Sequence, residues 1–473
     1  MNNIRKNPWL GLAAIGLLTV MENIDASIVN IAMPIISKSL HVPLSHTAYI
    51  SIIYMVVLSG LLISFGRLGD LVGKTKVFKS GTYVFILGSL MASFNLGFEF
   101  LLLARVVQSI GAAATLSNSY GIISQIFSPD QRGRAMGINT IFISAGYVAG
   151  PALGGILLQV FPWNSIFMIN IPIGIIAIIM SWLFLNLDDE ATKSGKFKYD
   201  YAGSALLFIS ISLFFTALEL AQSLGFENLM VIGLFAGFAI AAIAFWIVER
   251  DVDAPTLDFS LFKNPIYSTA LFVGALSPIV NSLFSFIFPI YLQSFRGISV
   301  GITGALVLIS PITTAIAAPI GGWIGDKTSN EIMIISGLAF MFLAQVGYYF
   351  FDHNTAISYI IVMIILNGIG TGIFIAPNTA TIMAPISKDK LGVAGASQTL
   401  AVNLGNIIGI SLASLVIFTT MSHLAGYKVS SYLPSHPEWF IYGTRLTFIV
   451  AAGLMLLGIV ITAWRVLRKM EVK

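Results

Sequence analysis

The sequence predicts an all-α polytopic membrane protein with fourteen transmembrane helices, built as two six-helix bundles related by a parallel repeat, plus a two-helix central insertion. Three observations predict this fold class: an apolar composition, regularly spaced apolar stretches, and a repeat between the two halves of the chain. Of the 473 residues, 57% are hydrophobic and only 10% are charged, and the mean hydropathy is +0.90. Helices that cross a bilayer need so apolar a chain, whereas a soluble fold does not.

The predicted spans are apolar stretches of roughly 20 residues separated by short loops that contain Gly, Pro, Asn and charged residues. They cover residues 9–36, 47–65, 77–94, 101–123, 135–160, 165–187, 201–221, 229–248, 267–292, 302–324, 332–350, 357–375, 394–419 and 444–464. The first stretch is too long for the apolar core of a signal peptide, so we expect it to remain as helix one. An even number of spans places both termini on one side of the membrane.

The lysine and arginine residues predict which side that is. By alternate loops, the side of the termini carries 20 of these residues and the opposite side carries 4. Because positive charge concentrates in cytoplasmic loops, we predict a multi-pass protein of the plasma (inner) membrane with both termini and the loop 188–200 in the cytoplasm. The same bias explains the net charge of +4 without a nucleic-acid surface. The chain has no cysteine and its histidines are scattered, so no metal site is predicted.

A repeat relates the two halves of the chain. The five residues GRLGD at 66–70 return as GWIGD at 322–326, and three residues of a later loop return in the same way. These later pairs are Asp130 and Asp389, Gly133 and Gly392, and Ala135 and Ala394. All of them fall in loops on one side of the membrane, so the halves have the same orientation, as in a parallel transporter repeat.

The lengths of the spans divide the chain into three parts. We predict an N-terminal six-helix bundle in residues 1–190, an inserted two-helix hairpin with flanking loops in 191–265, and a C-terminal six-helix bundle in 266–473. A duplicated bundle with a central cavity is an architecture for moving a solute across a membrane. The expected partners are therefore a small-molecule substrate and the lipid bilayer, with no nucleic acid and no obligate protein partner.

Helix one carries two acids, Glu22 and Asp25, in an otherwise apolar stretch that also contains Asn30. A charge at mid-bilayer depth costs several kcal/mol, so an intramembrane acid indicates an ion or substrate path. The two acids are three residues apart and share a helix face. Arg105 is the one cation well inside a predicted span, at a depth similar to that of Asp25, and the two residues can meet. Pairing of the acids with a neighbouring helix for stability alone, and snorkelling of Arg105 to the membrane surface, are the alternatives.

Two glycine patterns have a physical reading of their own. In the loop after helix two, Gly66, Gly69 and Gly73 allow tight turns, and Asp70 is a fixed negative charge able to face a helix N-terminus or a loop arginine. A purely structural turn is the alternative there, and topology anchoring alone explains the nearby lysines. In helix five, glycines four residues apart line one face and allow close helix contact, whether for packing or for a gate.

Four stretches together resemble motifs of the major facilitator superfamily, specifically of its fourteen-helix drug:proton antiporter branch. They are DASIVNIAMP at 25–34, GRLGDLVGKTKVF at 66–78, RVVQSIGAA at 105–113 and GYVAGPALGG at 146–155. Ser109 stands where glycine is usual in the third motif, and the second half of the chain carries only the weakened loop repeat.

The resemblance implies roles for the motif residues. It implies that a cytoplasmic gate motif closes that face in the outward-open state, and its members here are Gly66, Gly69, Asp70, Gly73, Lys74, Arg132 and Arg134. The helix-five motif of antiporters corresponds here to Gly146, Gly150, Pro151, Gly154 and Gly155. If the repeat packs as in the family, the substrate cavity includes Asn30, Asn118, Asn281, Ser285, Phe288, Phe374 and Asn378.

The predicted function is proton-coupled efflux of amphipathic or cationic small molecules by alternating access, as in multidrug resistance. Asp25 is the expected principal proton carrier, with Glu22 accessory and Arg105 tuning both, and protons are the coupling ion with no other cofactor. Export or flipping of an endogenous lipid, metabolite or siderophore is the alternative. No metal spacing or nucleophile constellation supports an intramembrane enzyme, so no catalytic residue is predicted. A receptor or scaffold leaves the repeat and the acids unexplained.

Overall fold

A computed structural model describes residues 7–42, 44–47, 49–185, 199–250, 252, 255–427, 429 and 432–471. These residues form fourteen long helices and no strand, which confirms the predicted all-α fold class. The helices are α1 Pro8–Leu40, α2 Tyr49–Val72, α3 Lys74–Ala92, α4 Phe98–Ile126, α5 Arg132–Val160, α6 Asn170–Phe184, α7 Tyr201–Leu224, α8 Leu229–Arg250, α9 Pro265–Pro289, α10 Val300–Lys327, α11 Asn330–Tyr349, α12 Ile357–Met383, α13 Leu391–Ala425 and α14 Pro437–Glu471. Most of the predicted loop 188–200 lies outside the described residues.

Thirteen helices of the described chain are long and apolar enough to cross a membrane. Helix α3 is absent from that set, because the lysines in its first two turns, Lys74, Lys76 and Lys79, lower its hydropathy. It nevertheless packs along α4 within the same bundle, at the place of the third predicted span. The short helices Leu44–Thr47 and Ser165–Met168 lie between longer ones, and a π-helical turn at Ile290–Phe295 extends α9.

The two halves of the chain repeat one packing plan. In the N-terminal half α1 packs on α5, α2 on α4 and α3 on α4; in the C-terminal half α9 packs on α13, α10 on α12 and α11 on α12. The halves meet through α2 against α13 and through α5 against α10. By this packing plan α2 corresponds to α10, and α5 corresponds to α13. The contact of α2 with α13 is therefore equivalent to the contact of α10 with α5, and the interface has the same approximate two-fold symmetry as the halves.

The helices α7 and α8 form an antiparallel hairpin beside this interface. Helix α7 packs against α2 and α13, one helix from each half, while α8 packs chiefly on α7. At the α2 contact, a Cβ on Gly60 would lie 2.7 Å from the ring of Phe208, so glycine permits the close approach there. Leu229 at the hairpin's far end is 84% exposed in the isolated chain. This exposed apolar end of the hairpin suits contact with lipid.

Candidate functional site

A cavity of about 240 Å³ lies between the two halves. Helices α9, α12 and α13 form most of its wall, while Tyr120 of α4 and Thr140 of α5 contribute from the N-terminal half. The described residues that line it have apolar, aromatic, hydroxyl or amide side chains, and none of them is charged. Three of the predicted cavity residues line it, namely Asn281, Phe374 and Asn378.

The remaining predicted cavity residues lie elsewhere. Asn118 is buried against α2, where its Nδ2 donates to the carbonyl oxygen of Phe65 at 3.2 Å. Ser285 is exposed, and Phe288 is buried in the C-terminal core, with its ring centroid 4.5 Å from that of Phe284. The side chain of Asn30 lies outside the described part of the chain.

Asp25 is at the centre of a buried polar cluster in the N-terminal half. Its Oδ2 forms an ion pair with Nη1 of Arg105 at 2.6 Å, and both side chains are almost completely buried. Its Oδ1 accepts hydrogen bonds from Nε2 of Gln108 and from Nδ2 of Asn170, each at 2.8 Å. Ser89 completes the cluster by accepting from the same Gln108 nitrogen at 2.8 Å. The Asp25 carboxylate is thus neutralised and has three donors, the condition under which a buried charge is tolerated.

The arginine has additional partners that hold it inside the bundle. Its Nη1 donates to Oε1 of Gln108 at 2.5 Å and its Nε to the carbonyl oxygen of Ile50 at 3.3 Å. Its guanidinium Cζ is 4.2 Å from the centroid of the Tyr54 ring, which adds a cation–π contact. Arg105 therefore faces the interior, and the structure does not support snorkelling to the membrane surface.

Glu22 lies one turn before Asp25 but has a different environment. Its Oε1 accepts a short hydrogen bond from the hydroxyl of Thr115 on α4, and the side chain is 4% exposed. Among the described residues no cation pairs with Glu22. One acid of helix one is therefore held as an ion pair and the other is buried against a hydroxyl.

Sequence reasoning missed the neutral members of this cluster, among them Gln108, Asn170 and Thr115. Gln108 lies three residues after Arg105, within the third motif, so its place on the same helix face was a usable signal. Asn170 is the first residue of α6, and its contact with Asp25 depends on how α6 packs against α1.

Asp70 caps a helix of the opposite half. Its two oxygens accept from the backbone N–H groups of Gly392 at 2.7 Å and Val393 at 2.9 Å, at the first turn of α13. Its Oδ1 is also 2.7 Å from Nζ of Lys74, which donates to the carbonyl oxygen of Lys388 at 2.9 Å. A carboxylate at a helix N-terminus satisfies free N–H groups and interacts favourably with the helix dipole.

The repeat produces a second contact of the same kind. Asp326 at the end of α10 accepts from the backbone N–H groups of Gly133 and Arg134 of α5, each at 2.9 Å. Each half therefore supplies an aspartate to the first turn of a helix in the other half, and the two loop repeats found in the sequence are joined crosswise. We call these contacts the Asp70 latch and the Asp326 latch, and we call the membrane side on which they lie the Asp70 side.

Glycines allow the backbones to touch at both latches. A Cβ on Gly66 would lie 2.6 Å from the carbonyl oxygen of Gly392, and a Cβ on Gly133 would lie 2.8 Å from that of Gly322. Gly73, between α2 and α3, has a φ of 109°, which favours glycine.

The other predicted gate residues lie beside the latches. Gly69 faces Asn118, whose side chain occupies the space that a Cβ would need. Neither predicted arginine pairs with Asp70 through its guanidinium. Arg132 Nε donates to the carbonyl oxygen of Phe127 at 3.4 Å, and the guanidinium of Arg134 is 5.2 Å from the Trp9 ring centroid.

The helix-five glycines pack against α1. Gly146 faces the backbone of Val20, and a Cβ on Gly150 would overlap the Ser27 hydroxyl and lie 3.0 Å from the carbonyl oxygen of Ile24. Gly154 continues this face onto Ile28, whereas Gly155 points away, and a Cβ there would have no atom within 4 Å. Pro151 belongs to α5, and its side chain lies outside the described part of the chain.

Comparison with known proteins gives a consistent result. A family model of the Major Facilitator Superfamily matches residues 15–251 and 270–472. The riboflavin transporter RibZ of Clostridioides difficile (strain 630) is 28% identical over 461 residues, which cover 97% of this chain and 98% of that protein. Multidrug resistance protein 3 of Bacillus subtilis (strain 168) is 28% identical over 446 residues, which cover 91% and 86% respectively.

The solved structures extend the likeness to the fold. A bacterial homologue of the iron transporter ferroportin, in an outward-facing state, aligns with a TM-score of 0.64 at 15% identity, covering 96% of this chain and 98% of the other. The human organic anion transporter MFSD10 aligns with the same TM-score at 14% identity. At this level of identity the likeness concerns the fold alone.

Proposed function

Because this chain belongs to the Major Facilitator Superfamily, and is therefore a multi-pass membrane transporter and not an enzyme, we propose that it exports amphipathic or cationic small molecules in exchange for protons. The observation that carries this proposal is the pair of buried acids in α1. A transporter that binds only its solute has no need of carboxyl groups inside an apolar bundle, where they are costly.

We place the exchangeable proton on Glu22 and a fixed ion pair on Asp25, which reverses the roles that the sequence predicted. Protonating Asp25 would remove the counter-charge of Arg105 and leave a buried cation, a change that typically costs several kcal/mol. Glu22 has a hydroxyl partner and no paired cation among the described residues. A proton on it removes the charge that burial disfavours.

Coupling of the proton to the conformational change then follows because the proton alters the relative stability of two conformations. With its proton, Glu22 is neutral and compatible with the buried contact between α1 and α4 that Thr115 makes. Without its proton, the carboxylate is a buried charge, and any conformation that brings it to water becomes more favourable. Proton binding shifts the equilibrium between the two conformations only by as much as the proton's affinity differs between them.

The latches supply the gate in this proposal. Opening the Asp70 side separates α2 from α13 and α5 from α10, and it breaks the four backbone hydrogen bonds of Asp70 and Asp326. The excess of lysine and arginine supports assigning that side to the cytoplasm of a plasma (inner) membrane. The conformation with both latches closed is then the one sealed toward the cytoplasm.

Export of an endogenous metabolite is the second candidate. It is favoured by the likeness to RibZ over nearly the whole length of both chains and by the uncharged cavity wall. The multidrug resistance relatives favour the first candidate. Both use the same proton site and the same latches, so they differ in the molecule that the cavity accepts.

The test uses purified protein in proteoliposomes with a pH-sensitive dye inside. An imposed pH gradient should drive accumulation of ethidium as an amphipathic cation, or of riboflavin as a metabolite. Conversely, adding either compound to proteoliposomes that already hold a pH gradient should dissipate that gradient. Glu22→Gln should abolish both responses while the protein stays inserted. Solute movement in the parent protein that ignores the pH gradient would contradict the proposal.

A further inference from the structure

We propose that Asp200 and Glu249 share one proton at the end of the α7–α8 hairpin, and that this proton holds the linker after α8 beside the start of α13. We call the end of the hairpin that carries these two acids the foot. The inference rests on the proposed function, because it adds a second proton site that regulates the Asp70 latch. It follows from two carboxyl oxygens that point into one space and from the contacts of the linker next to them.

Antiparallel packing of α7 and α8 brings the two acids together. Asp200 caps α7, since its Oδ1 accepts from the backbone N–H group of Gly203 at 2.8 Å. Glu249 lies in the last turn of α8 and is 3% exposed, and its Oε1 accepts from the backbone N–H group of Leu257 at 2.7 Å. Each acid therefore has one oxygen bonded to the backbone and a second oxygen left over.

The two remaining oxygens converge. Oδ2 of Asp200 and Oε2 of Glu249 are both buried without a hydrogen-bond partner in the described part of the chain. A Cβ on Gly203 would overlap both of them, so they point into the same small space. Two carboxylates so close repel each other, and one shared proton removes the repulsion and gives both oxygens a hydrogen bond. A proton needs no cavity, so the burial of the two oxygens is compatible with it.

The helix ends indicate which acid holds the proton. Asp200 lies at the N-terminus of α7, where the helix dipole favours a negative charge, whereas Glu249 lies at the C-terminus of α8, where the dipole disfavours one. The ionised group is therefore Asp200, and Glu249 is the protonated donor.

The ionisable groups on the surrounding elements do not neutralise the pair. The Tyr199 hydroxyl, beside α7, bonds to a carbonyl oxygen of α2 at 3.4 Å, and the guanidinium of Arg250 lies over an indole ring of its own helix. In the linker, Asp258 is paired with Lys390, which directly precedes α13. Within the described ranges, neither these cations nor Arg67 of α2 forms an ion pair with either acid of the foot.

A metal ion is the alternative occupant of the space, and the available ligands do not suit one. Ca²⁺ and Mg²⁺ take about six or more oxygen ligands, whereas the foot offers two free carboxyl oxygens. The nearby Thr256 hydroxyl is already bonded to the Ser204 hydroxyl at 3.0 Å and to the carbonyl oxygen of Asp200 at 3.3 Å. No group of three His, Cys, Asp or Glu residues that could hold a metal occurs in the described part of the chain.

The linker joins the foot to the Asp70 latch. Glu249 binds the backbone of Leu257, and the next residue, Asp258, pairs through Oδ2 with Nζ of Lys390 at 2.6 Å. Lys390 directly precedes α13, whose first turn is the part that Asp70 binds. Docking of the linker on the foot therefore restrains the same helix end that the latch holds.

The pair should respond to pH in one direction. At low pH it holds its proton and the linker stays docked. As the pH rises the proton leaves, both acids become charged, and their repulsion favours release of the linker. Release removes a restraint on α13, so the Asp70 latch opens more readily. Acid on the Asp70 side therefore slows an exchange that delivers protons to that side.

Labelling of a single cysteine measures docking of the linker. Thr256 is fully buried and the chain has no cysteine, so Thr256→Cys introduces a unique thiol that reacts when the linker leaves the foot. Ser299→Cys, at an exposed position, corrects for the pH dependence of thiol reactivity. In detergent, the labelling rate of Thr256→Cys relative to Ser299→Cys should rise at least about tenfold between about pH 6 and pH 9, where exposed carboxyl groups stay ionised.

Glu249→Gln copies the protonated acid, because its amide donates to Asp200 while its oxygen still accepts from Leu257. It should keep labelling of Thr256→Cys slow over the whole pH range. Glu227→Gln removes an exposed acid at the other end of the same hairpin and is the matched control, with an unchanged pH response. Excess EDTA should change nothing, and faster labelling in its presence would identify a metal ion and overturn the inference.

Infrared difference spectroscopy detects the proton without any cysteine. The difference between the parent and Glu249→Gln should contain a protonated carboxyl band at about pH 6 and lack it at about pH 9. For the latch, labelling of Tyr120→Cys in the cavity from the Asp70 side should rise with pH, and this rise should be smaller with Glu249→Gln. No band at the lower pH, linker labelling that ignores pH, or equal cavity labelling with and without Glu249→Gln would overturn the inference.

These outcomes are distinct from failure of the proposed function. Glu22→Gln should abolish exchange and leave the pH response of the linker intact. A linker that responds to pH in a protein without proton-coupled transport would refute the exporter and keep the proton site at the foot. Proton-coupled transport by a protein whose linker ignores pH would do the reverse.

Discussion

The two halves of the molecule share a packing plan but bury different chemistry at their centres. Glycine contacts fix the correspondence, since Gly146 meets Val20 of α1 in the same way that Gly405 meets Ala275 of α9. The α3–α4 contact of Gly81 with Gly111 is likewise repeated by Gly337 with Gly370. In this register the matching positions are Asp25 and Val280, Arg105 and Ile364, Gln108 and Asn367, and Ser89 and Gln345.

The C-terminal half keeps the neutral part of the cluster and lacks the charges. Val280 and Ile364 are fully buried in the places of the ion pair, while Nε2 of Gln345 still donates to Asn367 at 3.2 Å. The same helix frame therefore tolerates either an ion pair or two apolar side chains. Because a buried ion pair is rarely more stabilising than apolar residues of similar volume, the charges of the N-terminal half are better explained by transport than by folding.

The largest expected effect comes from replacing one member of the ion pair with its C-terminal counterpart while the other member stays in place. Arg105→Ile leaves the Asp25 carboxylate buried without its cation, which should lower the free energy of unfolding by about 3–5 kcal/mol. The double variant Asp25→Val with Arg105→Ile copies the C-terminal half and should recover most of that loss. Thermal unfolding in detergent measures both. A double variant as unstable as the single one would mean that the two frames are not equivalent.

Next in size is the glycine contact between α5 and α1. Gly150→Leu should cost about 1–3 kcal/mol in folding free energy and abolish transport, because its side chain would overlap Ser27 and separate the helices. Gly409→Leu should behave alike, since a Cβ there would lie 2.9 Å from Ser282.

Gly155→Leu is the matched control for this prediction. No atom lies within 4 Å of a Cβ at that position, so stability and transport should be unchanged. Unimpaired transport by Gly150→Leu would show that the close contact is dispensable.

The two latches should differ by a smaller amount. Asp326→Asn weakens a helix cap, at about 1 kcal/mol, whereas Asp70→Asn also leaves the buried Lys74 without its counter-charge and should cost more. The chain has no cysteine, so Tyr120→Cys introduces a unique label in the cavity. Labelling from the Asp70 side should increase more with Asp70→Asn than with Asp326→Asn. Equal increases would mean that Lys74 contributes nothing to closure.

The sequence was sufficient for the features that composition and repetition specify. Apolar stretches predicted the fourteen helices in order, and the scarcity of charge drew attention to Asp25 and Arg105, which the structure places 2.6 Å apart. It was insufficient where a contact depends on which helices become neighbours. The residues around Asp70 and Gly392 do not indicate that the two pair across the halves, because each loop repeat can be interpreted without a partner in the other half.

Side-chain direction set a second limit on prediction from sequence. Ser285 and Phe288 lie on the same helix as Asn281, which lines the cavity, yet one is exposed and the other is in the core. Choosing among them requires the rotation of α9 against α12 and α13, and residue type alone does not report it. The sequence likewise ranked Asp25 above Glu22 as the proton carrier, and the reversed order that we propose rests on their partners on other helices.

The central claim is that Glu22 holds the exchangeable proton and that the Asp25–Arg105 pair is fixed. Infrared difference spectroscopy on purified protein tests it directly, because a protonated carboxyl has a carbonyl stretch distinct from that of a carboxylate. The difference between the parent and Glu22→Gln should contain that protonated band, and the difference between the parent and the double variant Asp25→Val with Arg105→Ile should lack it. A protonated band that disappears with Asp25 and persists without Glu22 would contradict the account.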